Sequence, residues 1–159
     1  MEPTFITTSW QKIKEWSLGN ALNVHSFGTS CCALEIQAAS GPRYDWERFG
    51  FLEENNIAEA DLLIIAGPVT VRLEERVKEI YKQMREPRFV VSVGSCANTG
   101  GMFIGKSTTV IMGVDKILPI DLFVPGCPPR PEAIIHALLQ LQKKIFAGSK
   151  IAKEKKNYA

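Results

Sequence analysis

The sequence has no Cys-x-x-Cys pair, no apolar run of membrane-spanning length, only two histidines and almost no net charge. A transmembrane helix needs roughly 20 consecutive apolar residues, and no stretch comes near that, so the chain is expected to be soluble by itself. Its start, Met1-Glu-Pro-Thr, has neither the basic opening nor the apolar run of a secretory leader, which points to an intracellular protein. A formal net charge of +2, from 19 basic and 17 acidic residues, leaves no surplus for a nucleic-acid-directed surface. No repeat, low-complexity block or Gly/Ser linker divides the 159 residues. That length suits one domain burying roughly two thirds of its unfolded surface.

Hydrophobic periodicity sets out the elements. Residues 10–18 read as a short amphipathic helix with Trp10, Ile13 and Trp16 on one face. Ala21–Phe27 reads as a strand and Ala33–Ala39 as a brief helix ended by Gly41-Pro42. Asp61–Ala66 and Phe89–Val93 are continuous apolar runs of the kind found in central parallel strands, and Ile120–Val124 is another strand. Arg72–Met84 carries Leu73, Val77, Ile80, Tyr81 and Met84 at helical spacing. The last helix opens at Pro131, with Glu132 near its positive end, and turns Ile134, Ile135, Leu138, Leu141 and Ile145 inward as far as Phe146. Strands alternating with helices predict a three-layer α/β domain with a mostly parallel sheet. The expected organisation is an N-terminal amphipathic arm over 1–18, the α/β domain over 19–146 and a lysine-rich tail over 147–159. Lysines 143, 144, 150, 153, 155 and 156 read as a solvated helix end and terminus, and as a candidate contact for acidic lipid or a partner.

Four cysteines stand out against this background. Cys31, Cys32, Cys96 and Cys127 lie in Gly28-Thr-Ser-Cys-Cys, Gly94-Ser-Cys-Ala-Asn and Pro125-Gly-Cys-Pro-Pro, each just after an apolar strand. A parallel sheet presents ligand-binding residues beyond the carboxyl ends of its strands, so three loops are expected to bring four thiols together. Buried cysteines acting as small hydrophobes fit poorly with these turn-like surroundings. A structural zinc site is a second reading, although zinc usually takes paired ligands separated by two to four residues rather than adjacent ones. An iron–sulfur cluster accommodates the tandem pair, because neighbouring thiolates can bind different irons. Glycines 94, 100, 101 and 126 would let backbone N–H groups approach cluster sulfurs, and Arg43, Arg48 and Arg130 are candidates to offset negative charge or face a partner.

Gly100-Gly-Met-Phe-Ile-Gly-Lys106-Ser107 satisfies a phosphate-loop pattern. The β-branched, glycine-broken segment after it is a poor helix, so nucleotide binding is the weaker alternative. His25 and His136 read as packing residues. Glu35, in an apolar helix just after the tandem cysteines, is expected either to pair with Arg43 or Arg48 or to handle protons beside a redox centre.

Ser30-Cys-Cys-Ala-Leu-Glu35, Pro42-Arg-Tyr-Asp-Trp-Glu-Arg-Phe-Gly50, Gly94-Ser-Cys-Ala-Asn-Thr-Gly-Gly-Met-Phe103 and Val124-Pro-Gly-Cys-Pro-Pro-Arg-Pro-Glu132 together resemble the B subunit of NADH–quinone oxidoreductase, the 20 kDa subunit of respiratory complex I. The resemblance runs from about residue 18 to 146. It implies a flavodoxin-like fold, one [4Fe-4S] cluster on Cys31, Cys32, Cys96 and Cys127, and a role as electron relay. The implied partners are a large catalytic subunit, an upstream ferredoxin-like subunit and membrane-arm subunits, at the cytoplasmic face of the membrane. Ile36-Gln37 stands where complex I members usually have two methionines. The run from Glu35 to Gly50 and Gly67-Pro-Val-Thr70 look more like the small subunit of membrane-bound [NiFe] hydrogenases, which normally separate the first two cysteines. The archaeal membrane-bound sulfane sulfur reductase combines such features, so the implied acceptor is a quinone, protons or a sulfur compound. Trp10, Trp16 and Trp46 are candidate docking anchors, the first two also candidates for a membrane interface.

Overall fold

The computed structural model describes residues 5–146, and the lysine-rich tail lies outside the described residues. In chain order the elements are α1 (Phe5–Asn20), β1 (Leu22–Gly28), α2 (Ser30–Ser40), β2 (Phe51–Glu53), β3 (Leu62–Ala66), α3 (Val71–Gln83), β4 (Phe89–Val93), α4 (Ser95–Thr99), β5 (Leu122–Val124) and α5 (Pro131–Phe146). All five strands are parallel, in the order β2-β1-β3-β4-β5. That order is the flavodoxin-like form of the doubly wound sheet, as the resemblance implied.

The central strands are apolar throughout because both faces are covered. Leu62, Ile64 and Ala66 of β3, with Phe89, Val91 and Val93 of β4, point into one core with Ile36 of α2 and Ile134, Leu138 and Leu141 of α5. Leu63, Ile65 and Val90, one residue out of phase, point into the other core with Val77, Ile80 and Tyr81 of α3 and Leu118. Side chains alternate across a strand, so a helix layer on each face demands continuous hydrophobicity.

Asp61, just before β3, is fully buried and accepts two hydrogen bonds from Arg85, at 2.6 and 2.9 Å, and one from the Asn23 amide. It ties the amino ends of β1 and β3 to the segment after α3. This carboxylate is structural: it sits at the edge of the sheet opposite the cysteine loops.

Two expectations are corrected. Trp46 is 0% exposed and belongs to the core with Leu22 and Phe51, so it is no docking anchor. Asp45 adopts a left-handed backbone (φ 48°), and the short turn that follows drops the indole inward. His136 is exposed on α5 rather than packed, whereas His25 is half-buried with Nδ1 3.0 Å from the Glu54 carbonyl oxygen. The strand β2 went unread because an edge strand of three residues, with Leu52 and Glu53 exposed, carries too little pattern.

Candidate functional site

The register of the sheet builds the site. Gly28 pairs with Ala66, Ala66 with Val93 and Val93 with Val124, so the last residues of four strands stand in one row. Cys31, Cys96 and Cys127 are each the third residue beyond that row, after β1, β4 and β5, and Cys32 is the fourth. Equal reach from aligned strand ends brings all four thiols to one edge of the sheet.

Backbone and side-chain bonds fix the loops relative to one another. The Thr29 hydroxyl donates to the Ala66 and Pro68 carbonyls (3.0 and 2.9 Å), holding the β1 loop against the β3 loop. The Ser95 amide and hydroxyl both donate to the Gly126 carbonyl (2.7 and 2.9 Å), joining the loops of Cys96 and Cys127. Asn98 donates to the Val124 carbonyl and accepts from the buried Ser92 hydroxyl, pinning α4 beneath them. Ser95 and Asn98 flank Cys96 in the quoted motif, but only the fold shows that they brace it.

Cys31 and Cys32 occupy the first turn of α2, one turn earlier than periodicity placed the helix. Ser30 takes φ 61° to start it, a strained conformation for a residue with a side chain. Thr29 gives α2 no side-chain cap, since its hydroxyl is spent on the β3 loop. The first-turn N–H groups and the positive end of the helix dipole therefore lie beside the tandem thiols, where they favour negative charge.

Cys32 and Cys96 are buried, while Cys31 and Cys127 are exposed. Burial, then the neighbouring Cys31 and the more distant Cys96 and Cys127, push the Cys32 thiol up to about 12. Burial and then Cys127 raise the Cys96 thiol. Like-charge repulsion between ionised thiols disfavours the anionic form of each. Gly94 adopts φ 90°, and a Cβ there would lie 2.5 Å from the Cys32 sulfur. At Gly101 a Cβ would lie 3.1 Å from the Cys96 sulfur. Both glycines thus leave room for backbone to pass directly beneath a thiol.

Among the described residues no three His, Cys, Asp or Glu side chains are grouped closely enough to hold a metal ion. By type, four cysteines on three loops are the donor set of a cubane, which spreads its ligands over separate irons. The phosphate-loop reading fails on backbone bonding: the Lys106 and Ser107 amides both donate to the Phe103 carbonyl, and no helix follows. Those N–H groups are consumed inside the turn rather than presented to an anion.

The remaining candidate residues are placed as follows. Glu35 is half-buried on α2 and, among the described residues, makes no salt bridge to Arg43 or Arg48. Arg48 pairs with Asp45 at 3.4 Å on the surface. Arg43 lies over the Tyr44 ring, 5.6 Å from its centroid. Tyr44 donates to Glu132 in the first turn of α5 at 3.1 Å. The Glu132 carboxyl is held below its ordinary value by its own backbone N–H and then by Tyr44, with smaller contributions from Arg130 and Arg43. Arg43, Tyr44, Arg130 and Glu132 thus form one polar group between α2 and the Cys127 loop. Tyr44 and Glu132 are 88 residues apart, so nothing local in the sequence joined them.

The described residues form a flavodoxin-like α/β domain whose four cysteines all lie in loops just beyond the carboxyl ends of its strands. Residues 30–141 match the family described as NADH ubiquinone oxidoreductase, 20 Kd subunit, and the chain belongs to that family. It is 43% identical over 155 residues to NAD(P)H-quinone oxidoreductase subunit K of Prochlorococcus marinus (strain MIT 9312), covering 98% of this chain and 64% of that protein. To the subunit K of Synechococcus sp. (strain CC9902) it is 43% identical over 145 residues, covering 91% and 59%. The chain thus spans about two thirds or less of the length of these relatives. Among solved structures it superposes on a chain of the membrane-bound sulfane sulfur reductase, an archaeal respiratory membrane complex, with TM-score 0.86 and 31% identity over 92% of this chain and 84% of that one. The NAD+-reducing [NiFe]-hydrogenase shares the fold at TM-score 0.58 and 17% identity, covering 77% of this chain and 92% of that one.

Proposed function

We propose that this chain is an electron-relay subunit that holds one [4Fe-4S] cluster on Cys31, Cys32, Cys96 and Cys127. It would deliver electrons to an acceptor site shared with a larger catalytic subunit of a membrane-bound, ion-translocating oxidoreductase. The observation that carries this reading is the registered row of strand ends, which gives three cysteine loops the same reach. When bound, the cluster supplies one-electron oxidation and reduction at a potential set by hydrogen bonds, charge and solvent access.

The chain's own residues set those conditions. Cys32 and Cys96 anchor the inner side, away from water, while Cys31 and Cys127 face outward toward a partner. Arg43 and Arg130 place positive charge on the flank of the site. Leu34, Met102 and Ile104, all exposed close to the cysteines in sequence, give the catalytic subunit an apolar surface to cover. An upstream ferredoxin-like subunit and membrane-arm subunits complete the set of partners, which hold the chain at the cytoplasmic face of the membrane. Relatives named for quinone and for sulfane sulfur chemistry share this domain, so the acceptor is set by the partner rather than by this fold.

Protein prepared anaerobically, with its partner subunits where they are needed for assembly, is expected to contain iron and acid-labile sulfide in equal amounts and to become paramagnetic on reduction. Colourless protein holding zinc and no sulfide would overturn the proposal.

Glu35, one turn beyond Cys32 and without a side-chain ion pair among the described residues, is proposed as the proton-handling group beside the redox centre. Glu35→Gln in the assembled complex is expected to slow turnover about tenfold or more and to lower ions moved per electron, measured in sealed vesicles. Unchanged stoichiometry and rate would make Glu35 a structural residue.

A further inference from the structure

Four of the seven residues from Pro125 to Pro131 are proline, and Cys127 sits among them. Proline fixes φ and has no N–H, so this loop is stiff and has few backbone donors with which to fasten itself. It also turns tightly, since a Cβ at Gly126 would meet the Pro129 backbone at 2.5 Å. A stiff, compact loop moves as a unit, and the place of Cys127 then depends on what holds each end. On the entry side the Ser95 amide and hydroxyl grip the Gly126 carbonyl. On the exit side the Ala133 and Ile134 amides donate to the Arg130 carbonyl, which ties the loop only to its own helix.

The bond that reaches across is the one from the Tyr44 hydroxyl to Glu132, at 3.1 Å. Glu132 lies in the first turn of α5, just beyond the Cys127 loop. Tyr44 follows α2, the helix whose first turn carries the tandem cysteines. Its own place is fixed twice over. The Tyr44 and Asp45 amides donate to the Gly41 carbonyl (3.1 and 2.8 Å), and the Tyr44 ring packs against the core that holds Cys32, Ile36 and Ile134. The bond to Glu132 raises the Tyr44 hydroxyl above its ordinary value, while the Glu132 carboxyl is held low. At neutral pH the donor therefore stays protonated and the acceptor ionised.

We infer that Tyr44 and Glu132 are positioning residues of the thiol site. Their hydrogen bond anchors the exit side of the Cys127 loop to the segment behind the tandem-cysteine helix, as Ser95 anchors the entry side. The role rests on the electron-relay reading, in which Cys127 is a cluster ligand.

Tyr44→Phe keeps the ring in the core and removes only the hydroxyl. In the metal-free full chain, hydrogen exchange at the Ala133 and Ile134 amides should quicken about fivefold or more, while β3 and β4 exchange as before. In anaerobically loaded protein, with partner subunits where assembly needs them, iron should pass to a chelator about fivefold faster or more. The reduction potential should rise, because a looser loop admits water that favours the more negative, reduced cluster. Glu132→Gln still offers an oxygen to Tyr44 and should keep most of the protection against exchange, whereas Glu132→Ala should lose it. Adding Tyr44→Phe to Glu132→Ala should then change nothing further. Unaltered exchange in Tyr44→Phe overturns the inference. So does faster exchange with unaltered potential and iron release, which makes the pair a contact of the fold alone. An unsubstituted protein without iron sinks the relay reading itself; one with iron, matched by Tyr44→Phe in every readout, sinks the anchor alone.

Discussion

Replacing Cys32 by serine is expected to abolish the reduced-state paramagnetic signal and most of the bound iron while leaving the sheet intact. Cys32 is buried at the start of α2, its sulfur lies against Gly94, and its thiol is raised by burial and by the other three cysteines. A hydroxyl at that point is a harder and shorter ligand, poorly matched to iron–sulfur chemistry. The cost to the fold is that of one buried hydroxyl, about 1–3 kcal/mol, small beside two cores of apolar contacts. Cys96→Ser should behave alike, because it too is buried and braced by Ser95 and Asn98. The measurement pairs iron and sulfide analysis with electron paramagnetic resonance and far-UV circular dichroism. Full iron content with an unaltered spectrum in either variant would remove these residues from the ligand set.

Gly94→Ala is expected to disable the site without touching a cysteine. The position requires φ 90°, which costs a residue bearing a Cβ about 1–3 kcal/mol, and the added methyl would meet the Cys32 sulfur at 2.5 Å. Strain and collision together should destabilise the metal-free chain by about 2–4 kcal/mol in urea unfolding and prevent assembly of the cluster. Gly105→Ala provides the control. Gly105 also has positive φ, at 69°, but a Cβ there meets nothing within 4 Å, so this variant bears strain alone. It should lose about 1 kcal/mol and keep its iron. Equal behaviour of the two variants would mean that the close passage beneath Cys32 is unimportant.

Much of this architecture could be read in the chain before any coordinates. Phe89–Val93 and Pro131–Phe146 have the bounds that periodicity assigned, and the other long helices and central strands differ by a few residues at their ends. These elements are buried on two faces or carry a strong apolar stripe, so local pattern and global packing agree. Where burial depended on a single backbone turn, the sequence misled. Trp46 reads in the sequence as a candidate docking anchor, and a left-handed Asp45 sends it into the core instead. His136 shares an apolar helix but falls on its wet side. The three-residue β2 had no period to detect.

The site divides in the same way. The cysteines were visible by type and by their position after apolar strands, because thiols in glycine and proline turns have few ordinary explanations. That their loops leave the same edge of the sheet follows from register: Gly28, Ala66, Val93 and Val124 are paired neighbours across strands distant in sequence, and no local pattern encodes such pairings. The same holds for the bracing of one loop by the next, for the meeting of Tyr44 with Glu132, and for the two cysteines that are shielded from water and the two that are not. Composition and periodicity are properties of neighbouring residues, so they determined the layers, the helices and the chemical character of the loops. Distances between loops and the burial of each thiol arise only when strands far apart in the chain align, and those the tertiary structure alone decided.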